Sequence, residues 1–249
     1  MLRVLHLTDP HLFAATDGSL RGTVTNASLS AVLEDYRASD WQADIAVVTG
    51  DLIPDDSAAA YQHFRQLLGG LDLPVYCVPG NHDVRSLMQE ALGELPFHYC
   101  DTLQHGEWLI VGVDSCVGGR AGGEISAAEF DRVDAAIAAS DASHVMLYLH
   151  HPPVPVGSRW LDSVGMENGD EALRRFAASG KVRLVIFGHV HQDFATEFEG
   201  MRIVATPSTC SQFAAKSDEF AIDDKPPAYR RIELRPDGTQ QDDLVWVDT

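Results

Sequence analysis

The sequence predicts an α/β fold, organised as a single domain over residues 1–249. Strand-like runs rich in β-branched residues alternate along the chain with segments whose apolar residues recur at helical spacing. The strand-like runs are almost continuously apolar, which is typical of strands buried on both faces. The chain has 249 residues, of which 45% are hydrophobic and 22% charged, and this is enough for a sizeable core.

The individual elements follow from these patterns. The predicted strands are residues 3–8, 44–50, 74–80, 108–115, 144–150 and 182–188. The predicted helices are residues 26–38, 55–68, 126–140 and 170–180. Ser126 and Glu129 form a capping box, which marks the start of the third helix. After residue 193 the helical spacing stops, and the turns at Glu199-Gly200 and Asp237-Gly238 predict two hairpins.

Composition restricts the partners and the location of the protein. A formal net charge of −19 argues against binding a nucleic-acid polymer through a basic surface. The first apolar run is short and is interrupted by Arg3 and His6, so we expect no export signal, and no stretch is long enough to span a membrane. The four cysteines lack CxxC spacing and are expected to be reduced thiols of a cytoplasmic protein. The sequence leaves the oligomeric state open, a homodimer included.

Polar side chains follow five of the six predicted strands. They are Asp9 and His11, Asp51, the run Asn81, His82 and Asp83, the pair His150 and His151, and the pair His189 and His191. The carboxyl ends of parallel strands lie at one edge of a sheet, so we expect these groups to converge in one cleft. Each of them alone has an ordinary explanation as a cap, a turn residue or a buried histidine. Their shared position after five strands favours a functional site.

The paired histidines and the glycines at strand ends carry further expectations. His189 and His191 are two residues apart, and side chains at that spacing point the same way in an extended segment. We therefore expect both imidazoles to face one place. Gly50, Gly80 and Gly188 are expected where the chain leaves a strand sharply.

The types of residue predict the chemistry. Imidazole nitrogen, carboxylate oxygen and one amide oxygen favour Fe, Mn, Zn or Co over Ca or Mg, and the absence of cysteine argues against structural zinc. The candidate ligands number seven: Asp9, His11, Asp51, Asn81, one of His150 and His151, His189 and His191. They are too many for one ion, but two ions that share Asp51 would use them all. Paired metals serve in-line displacement at phosphorus. Two divalent ions would also outweigh two carboxylates and a hydroxide, so that the centre attracts phosphate.

The motifs D-x-H, G-D, G-N-H-D, H and G-H-x-H, in this order over residues 8–191, resemble the calcineurin-like metallophosphoesterase family. The resemblance implies a four-layer αββα sandwich of two mixed β-sheets flanked by helices. It also implies two metal ions per chain, expected to be Fe, Mn or both, with Zn and Co as alternatives. By matching motifs, one ion takes Asp9, His11, Asp51 and His191, and the other takes Asp51, Asn81, His150 and His189. His151 is the alternative to His150.

Further segments resemble one branch of the family. Residues 150–162 and 188–213, and the tail that begins at residue 220, are similar to bacterial class III cyclic nucleotide phosphodiesterases. This implies a small-molecule substrate, 3′,5′-cyclic AMP, hydrolysed to 5′-AMP. The alternatives are a broad-specificity phosphodiesterase, a phosphomonoesterase or a nucleotide pyrophosphohydrolase on the same site, and a binding scaffold without metals.

The resulting hypothesis for the mechanism is attack on phosphorus by a metal-bridging hydroxide, in line with the leaving 3′-oxygen. His82 is assigned to stabilising or protonating that oxygen, and Asp83 to orienting His82. The alternative for His82 is a structural loop histidine. The residues expected to contact substrate are His11, Asp51, Asn81, His82 and His191. The candidates to line the mouth and recognise adenine are Arg159, Trp160 and the loop 208–213, with packing as the alternative for Trp160. Arg21, in the first long loop, is a candidate to touch phosphate.

Overall fold

The computed structural model describes residues 1–248. The helices are α1 (Thr25–Ala38), α2 (Ala58–Gly69), α3 (Arg85–Ala91), α4 (Ala127–Ala139), α5 (Arg159–Asp162) and α6 (Gly169–Ala178). The strands are β1 (Leu2–Leu7), β2 (Ser19–Leu20), β3 (Thr23–Val24), β4 (Ile45–Thr49), β5 (Val75–Val78), β6 (Phe97–Tyr99), β7 (Thr102–His105), β8 (Trp108–Gly112), β9 (His144–Tyr148), β10 (Val182–Phe187), β11 (Phe194–Phe198), β12 (Met201–Ala205), β13 (Gln212–Phe213), β14 (Ile222–Asp223), β15 (Ala228–Leu234) and β16 (Gln240–Trp246).

Most of the strands form two mixed sheets of six. The first sheet has the order β16-β15-β1-β4-β5-β6. Strands β1, β4, β5 and β6 in it are parallel, whereas β15 is antiparallel to β1, with Leu2 opposite Leu234. The second sheet has the order β11-β12-β10-β9-β8-β7. Its four central strands are parallel and its two edge strands antiparallel.

Apolar side chains fill three layers. Val4 and Ile186 lie between the two sheets, whereas their neighbours Leu5 and Val185 lie on the opposite faces, against the helices. This alternation follows from the two-residue period of a strand. Helices α1 to α3 cover the first sheet, and α4 to α6 cover the second. The molecule is therefore a helix–sheet–sheet–helix sandwich, as the family resemblance implied.

All the predicted strands, helices and hairpins are present, with ends shifted by a few residues. The Ser126 hydroxyl accepts a hydrogen bond from the Glu129 amide at 3.2 Å, as a cap should. Helix α2 begins three residues later than predicted because its cap is Ser57, which accepts from the Ala60 amide. The sequence patterns missed only short elements, such as the β2–β3 hairpin, α3 and α5. All four cysteines are free.

The parallel strands were expected to share one edge of one sheet. They belong instead to two sheets that are stacked face to face, and the polar residues come from both. No helix within residues 1–248 combines the length and apolarity needed to cross a membrane.

Candidate metal centre

The structure brings all seven predicted ligands together. Asp9 and His11 follow β1, Asp51 follows β4 and Asn81 follows β5, all in the first sheet. His150, His189 and His191 follow β9 and β10 in the second sheet. Six of these side chains are buried, and Asn81 is partly buried. The site therefore lies where the carboxyl ends of the parallel strands of both sheets meet.

The ligand atoms form two adjoining groups. In the first, His191 Nε2 lies 3.3 Å from His11 Nε2 and 3.4 Å from Asp9 Oδ1. Three groups of side chains within residues 1–248 hold their donor atoms close enough for one metal ion, and Asp9, His11 and His191 make one of them. Carboxylate and imidazole atoms gathered this closely suit a cation.

The second group contains Asn81, His150 and His189. Asn81 Oδ1 lies 3.0 Å from His189 Nδ1 and 3.2 Å from His150 Nε2. Asp51 connects the two groups, because its Oδ1 lies 3.5 Å from His150 Nε2 while its Oδ2 lies 3.8 Å from His11 Nε2. One carboxylate thus presents an oxygen to each group.

Hydrogen bonds to backbone carbonyls fix the orientation of two histidine rings. His150 Nδ1 donates to Thr49 O at 2.7 Å, and His191 Nδ1 donates to Ser211 O at 2.6 Å. A carbonyl oxygen only accepts, so each Nδ1 carries a proton and each Nε2 faces the cluster. Histidine ligands of metals are commonly oriented in this way.

Charge and burial fit two divalent cations. Burial lowers the pKa of His11 and of His189 to about 3, so both imidazoles are neutral near pH 7 and can act as ligands. Although burial opposes it, the surrounding histidines keep the pKa of Asp9 below its usual range, so its carboxylate is ionised. Asp9 Oδ1 is buried without a hydrogen-bond partner. A cation between these donors would satisfy that oxygen.

The backbone at the site is strained. Asp9, His11, Asp51, His189 and His191 have φ values of 51°, 45°, 51°, 67° and 48°. This left-handed region is uncommon for non-glycine residues, although Asp and His enter it more readily than most, and it costs about 1 kcal/mol or more per residue. Such strain persists only where the surrounding structure determines it, and it is typical of functional sites.

This backbone corrects the expectation for the histidine pair. Strand β10 ends at Phe187, so His189 and His191 are not in an extended segment. With both residues left-handed, their rings diverge, His189 towards the second group and His191 towards the first. The pair serves two neighbouring positions and not one.

Gly80 and Gly188 are required by close packing. A Cβ on Gly80 would overlap the Asp51 carboxylate, and a Cβ on Gly188 would overlap the Thr8 hydroxyl and crowd the Asp9 carboxylate. Neither glycine has a positive φ, so their role is space for the ligands. Gly50, with φ of 88°, does need glycine for the sharp exit from β4.

A chain of hydrogen bonds that sequence reasoning missed holds Asp9. The Thr8 hydroxyl donates to Asp9 Oδ2 at 2.6 Å, and Thr49 donates to Thr8 at 2.7 Å. His6 Nε2 lies 2.9 Å from Thr49 Oγ1, and His6 Nδ1 lies 2.7 Å from Thr206 Oγ1. Burial and nearby Arg230 lower the pKa of His6 to about 3, so it is a neutral link in this chain. The signal in the sequence was a polar residue inside two mostly apolar strands, His6 in β1 and Thr49 in β4.

The two adjacent histidines have different surroundings. His151 Nδ1 lies 2.9 Å from Ser115 Oγ and its Nε2 lies 3.1 Å from Ala121 O, so both nitrogens already have protein partners. His150 Nε2 faces Asn81 and Asp51 instead. Although His151 is near enough to His150 and His189 to complete a metal-sized group, its hydrogen bonds make His150 the better candidate.

His82 and Asp83 lie beside the centre but do not pair with each other. The exposed His82 ring lines the cavity and packs edge-on against His11 at 5.3 Å, and its amide donates to Asp51 Oδ1. Asp83 was expected to orient that ring. Its carboxylate instead accepts from the Gly80 amide at 2.8 Å and from the Tyr61 hydroxyl at 2.9 Å. Asp83 therefore stabilises the loop that contains Gly80 and His82. Burial, together with the nearby charge of Asp51, raises the pKa of Asp83 to about 7.

The residues predicted to line the mouth or to touch phosphate divide into two sets. Arg21 and Trp160 line the cavity above the ligands, which has a volume of about 190 Å³, and so does Phe213 of the loop 208–213. Arg159 is mostly exposed and faces Asp218 at 3.6 Å, away from that lining. Elsewhere in the loop, the Ser208 hydroxyl donates to the Asp9 carbonyl at 2.8 Å, so it supports the site and does not form its mouth.

Sequence comparison gives relatives over nearly the whole chain. The calcineurin-like phosphoesterase family matches residues 2–193. The 3′,5′-cyclic adenosine monophosphate phosphodiesterase CpdA of Escherichia coli is 38% identical over 239 residues, which cover 96% of this chain and 87% of that protein. CpdA of Pseudomonas aeruginosa is 34% identical, over 98% of this chain and 90% of that protein.

A solved structure shows the same fold. A dimetal phosphatase from Danio rerio superposes with a TM-score of 0.66 and 16% identity, covering 99% of both chains. The family match spans more than half of the chain, and the relatives above are more than 30% identical over most of its length. This chain therefore belongs to the calcineurin-like phosphoesterase family of hydrolases.

Proposed function

We propose that residues 1–249 form one phosphodiesterase domain that hydrolyses 3′,5′-cyclic AMP to 5′-AMP with two divalent metal ions. The observation that carries this proposal is the Asp51 carboxylate, which presents one oxygen to each of two groups of imidazole, amide and carboxylate donors. The substrate is inferred from the CpdA relatives, which are named for cyclic AMP. The ions are Fe, Mn or both, with Zn and Co as alternatives.

The ligand sets follow the two groups of donor atoms. We assign Asp9, His11, Asp51 and His191 to one ion, and Asp51, Asn81, His150 and His189 to the other. When bound, two such ions supply positive charge to the phosphoryl oxygens and lower the pKa of the attacking water. The protein contributes rigid positions, because the left-handed backbone and the Thr8 hydroxyl leave the ligands little freedom.

His82 is the residue we assign to the leaving 3′-oxygen. It is exposed in the same cavity as His11, while its backbone amide donates to the Asp51 carboxylate. Its imidazole can therefore approach a substrate without being a ligand. In this position it would donate a proton, or a hydrogen bond, as charge develops on the departing oxygen.

Metal removal and replacement test the proposal. Chelated protein should not hydrolyse cyclic AMP, and stepwise addition of Mn, Fe or Zn should restore turnover as two equivalents bind. A parallel panel of bis-p-nitrophenyl phosphate, p-nitrophenyl phosphate and a nucleotide sugar separates the alternative activities. Preference for the monoester or the nucleotide sugar would replace the proposal with a phosphatase or pyrophosphohydrolase. Purified protein that binds no metal on elemental analysis would be a scaffold.

A further inference from the structure

Four side chains gather at the mouth of the cavity, and we call them the mouth cluster: Arg21, Trp160, Phe213 and Phe220. The Trp160 ring lies edge-on to Phe213 at 5.0 Å and to Phe220 at 5.3 Å, and Phe213 and Phe220 are 5.5 Å apart. The Arg21 guanidinium lies 5.0 Å from the Phe213 centroid and 5.2 Å from that of Phe220. The three rings and the cation thus form one contiguous surface.

The cluster is continuous with the proposed metal ligands. Phe213 is buried and stacks on the His191 ring, with centroids 4.1 Å apart and planes within 17°. Phe220 lies on the outer side of the cluster and is 51% exposed. The cluster therefore extends from the wall of the ligand group to an aromatic surface that faces solvent.

Arg21 occupies this position through a strained turn. The hairpin of β2 and β3 is closed by Arg21 and Gly22, whose φ values of 51° and 88° suit a type I′ turn. Such a turn favours Asn, Asp or Gly, and Arg gains nothing there locally. Among the described residues that line the cavity, Arg21 is the one with a permanent positive charge. The turn places that charge above the aromatic rings.

The size of the cavity determines what can reach the cluster. Pockets that enclose a drug-sized ligand measure roughly 300–1,000 Å³, whereas this cavity measures about 190 Å³. A nucleotide with its phosphate at the ligand group would not be enclosed completely. Its base would project through the mouth, where the aromatic rings and Arg21 lie.

We propose that the mouth cluster is a nucleobase-binding subsite, in which Phe220 stacks against the base while Arg21 lies beside it. The inference rests on the proposed function, since it concerns a nucleotide whose phosphate occupies the metal centre. Stacking on aromatic rings and Arg tolerates any base, because every base has a π face. The subsite therefore selects phosphodiesters that carry a base, and it discriminates weakly between adenine and guanine.

Binding of two matched monophosphates to the metal-loaded protein tests this subsite. 5′-AMP and ribose 5-phosphate share the phosphate and the sugar and differ in the base. Calorimetry should show that 5′-AMP binds about 5- to 30-fold more tightly, and 5′-GMP should bind within about threefold of 5′-AMP. Phe220→Ala should remove most of the advantage of 5′-AMP, leave ribose 5-phosphate unchanged, and be rescued by Phe220→Tyr.

Leu95→Ala is the control, because it shortens another exposed apolar side chain, one that does not belong to the mouth cluster. Equal affinity for the two monophosphates in the wild-type protein would overturn the subsite, as would a Phe220→Ala variant that keeps the full preference for 5′-AMP. Both readouts are binding constants, so they are separate from turnover of cyclic AMP. Base-dependent binding without turnover would leave the subsite standing and overturn the proposed reaction.

Discussion

The floor of the cavity and its mouth are built differently. The floor consists of residues at the ends of central parallel strands from both sheets, and backbone hydrogen bonds join its loops, such as His11 N to Asp51 O at 3.0 Å. The mouth consists of a two-residue turn, the short helix α5 and the segment between β13 and β14. Aromatic contacts and an exposed ion pair between Arg159 and Asp218 connect α5 to β13 and the segment after it, and one backbone hydrogen bond, from Phe213 N to His191 O at 3.2 Å, joins that region to the floor.

This difference teaches how the two tasks are divided. Ligand atoms must be held within a fraction of an ångström, and a rigid sheet edge with enforced backbone conformations can do that. Recognition of the rest of a substrate tolerates more movement and can be carried by connecting segments. Changes at the floor should therefore alter chemistry and metal binding, whereas changes at the mouth should alter affinity.

The largest effect is expected at His82, whose substitution should lower kcat without removing the metal ions. His82→Ala should lower kcat for cyclic AMP by about 100-fold or more, since a positioned acid contributes at least that much. Metal content should stay near two ions per chain. The kcat is measured by steady-state kinetics and the metal content by elemental analysis, both on the same preparation. If metal is lost in proportion to activity, His82 belongs with the metal ligands. The control is His105→Ala, on an exposed edge strand.

A smaller effect is expected at Thr8, which supports a proposed metal ligand on the floor of the cavity. Thr8→Val keeps the shape of the side chain but removes the hydroxyl that donates to Asp9 Oδ2. Loss of such a supporting bond should weaken metal binding by about 10- to 100-fold, as measured by competition with a chelator. Thr8→Ser retains the donor and should stay near wild type. Unchanged metal affinity in Thr8→Val would mean that the strained backbone alone positions Asp9.

The smallest effect is expected at the mouth. Arg21→Gly removes the cation but suits the φ of 51° better, so thermal unfolding should occur at the same or a higher temperature. The kcat/KM for cyclic AMP should fall about three- to tenfold, mainly through KM, since an exposed charge contributes about 1 kcal/mol. Arg159→Ala, whose partner is solvent-exposed, should change kcat/KM less than twofold. A fall in kcat with unchanged KM would mean that Arg21 acts in the chemical step, as the floor residues do, and not in substrate binding.

Much of the fold and the candidate site was predictable from the sequence. The alternation of apolar runs and helical spacing located the principal strands and helices, because burial imposes those periods on the sequence. The candidate ligands were recognisable because each follows a strand directly. Asp83 was placed beside His82 by adjacency, but the structure directs it to Gly80 and Tyr61. Phe220 carries no local signal, since a single exposed aromatic residue is unremarkable in a sequence.

What the sequence determined by itself is which chemical groups stand at the ends of which strands. Their conformations and partners were decided by the tertiary structure. His150 and His151 are neighbours of the same residue type, yet Ser115 and Ala121 engage both nitrogens of His151, while His150 turns its Nε2 to Asn81. The physical reason is that contacts from strands far away along the chain set which nitrogen each imidazole presents to the cluster, and also set the left-handed backbone of the ligand residues. No local sequence pattern records those contacts.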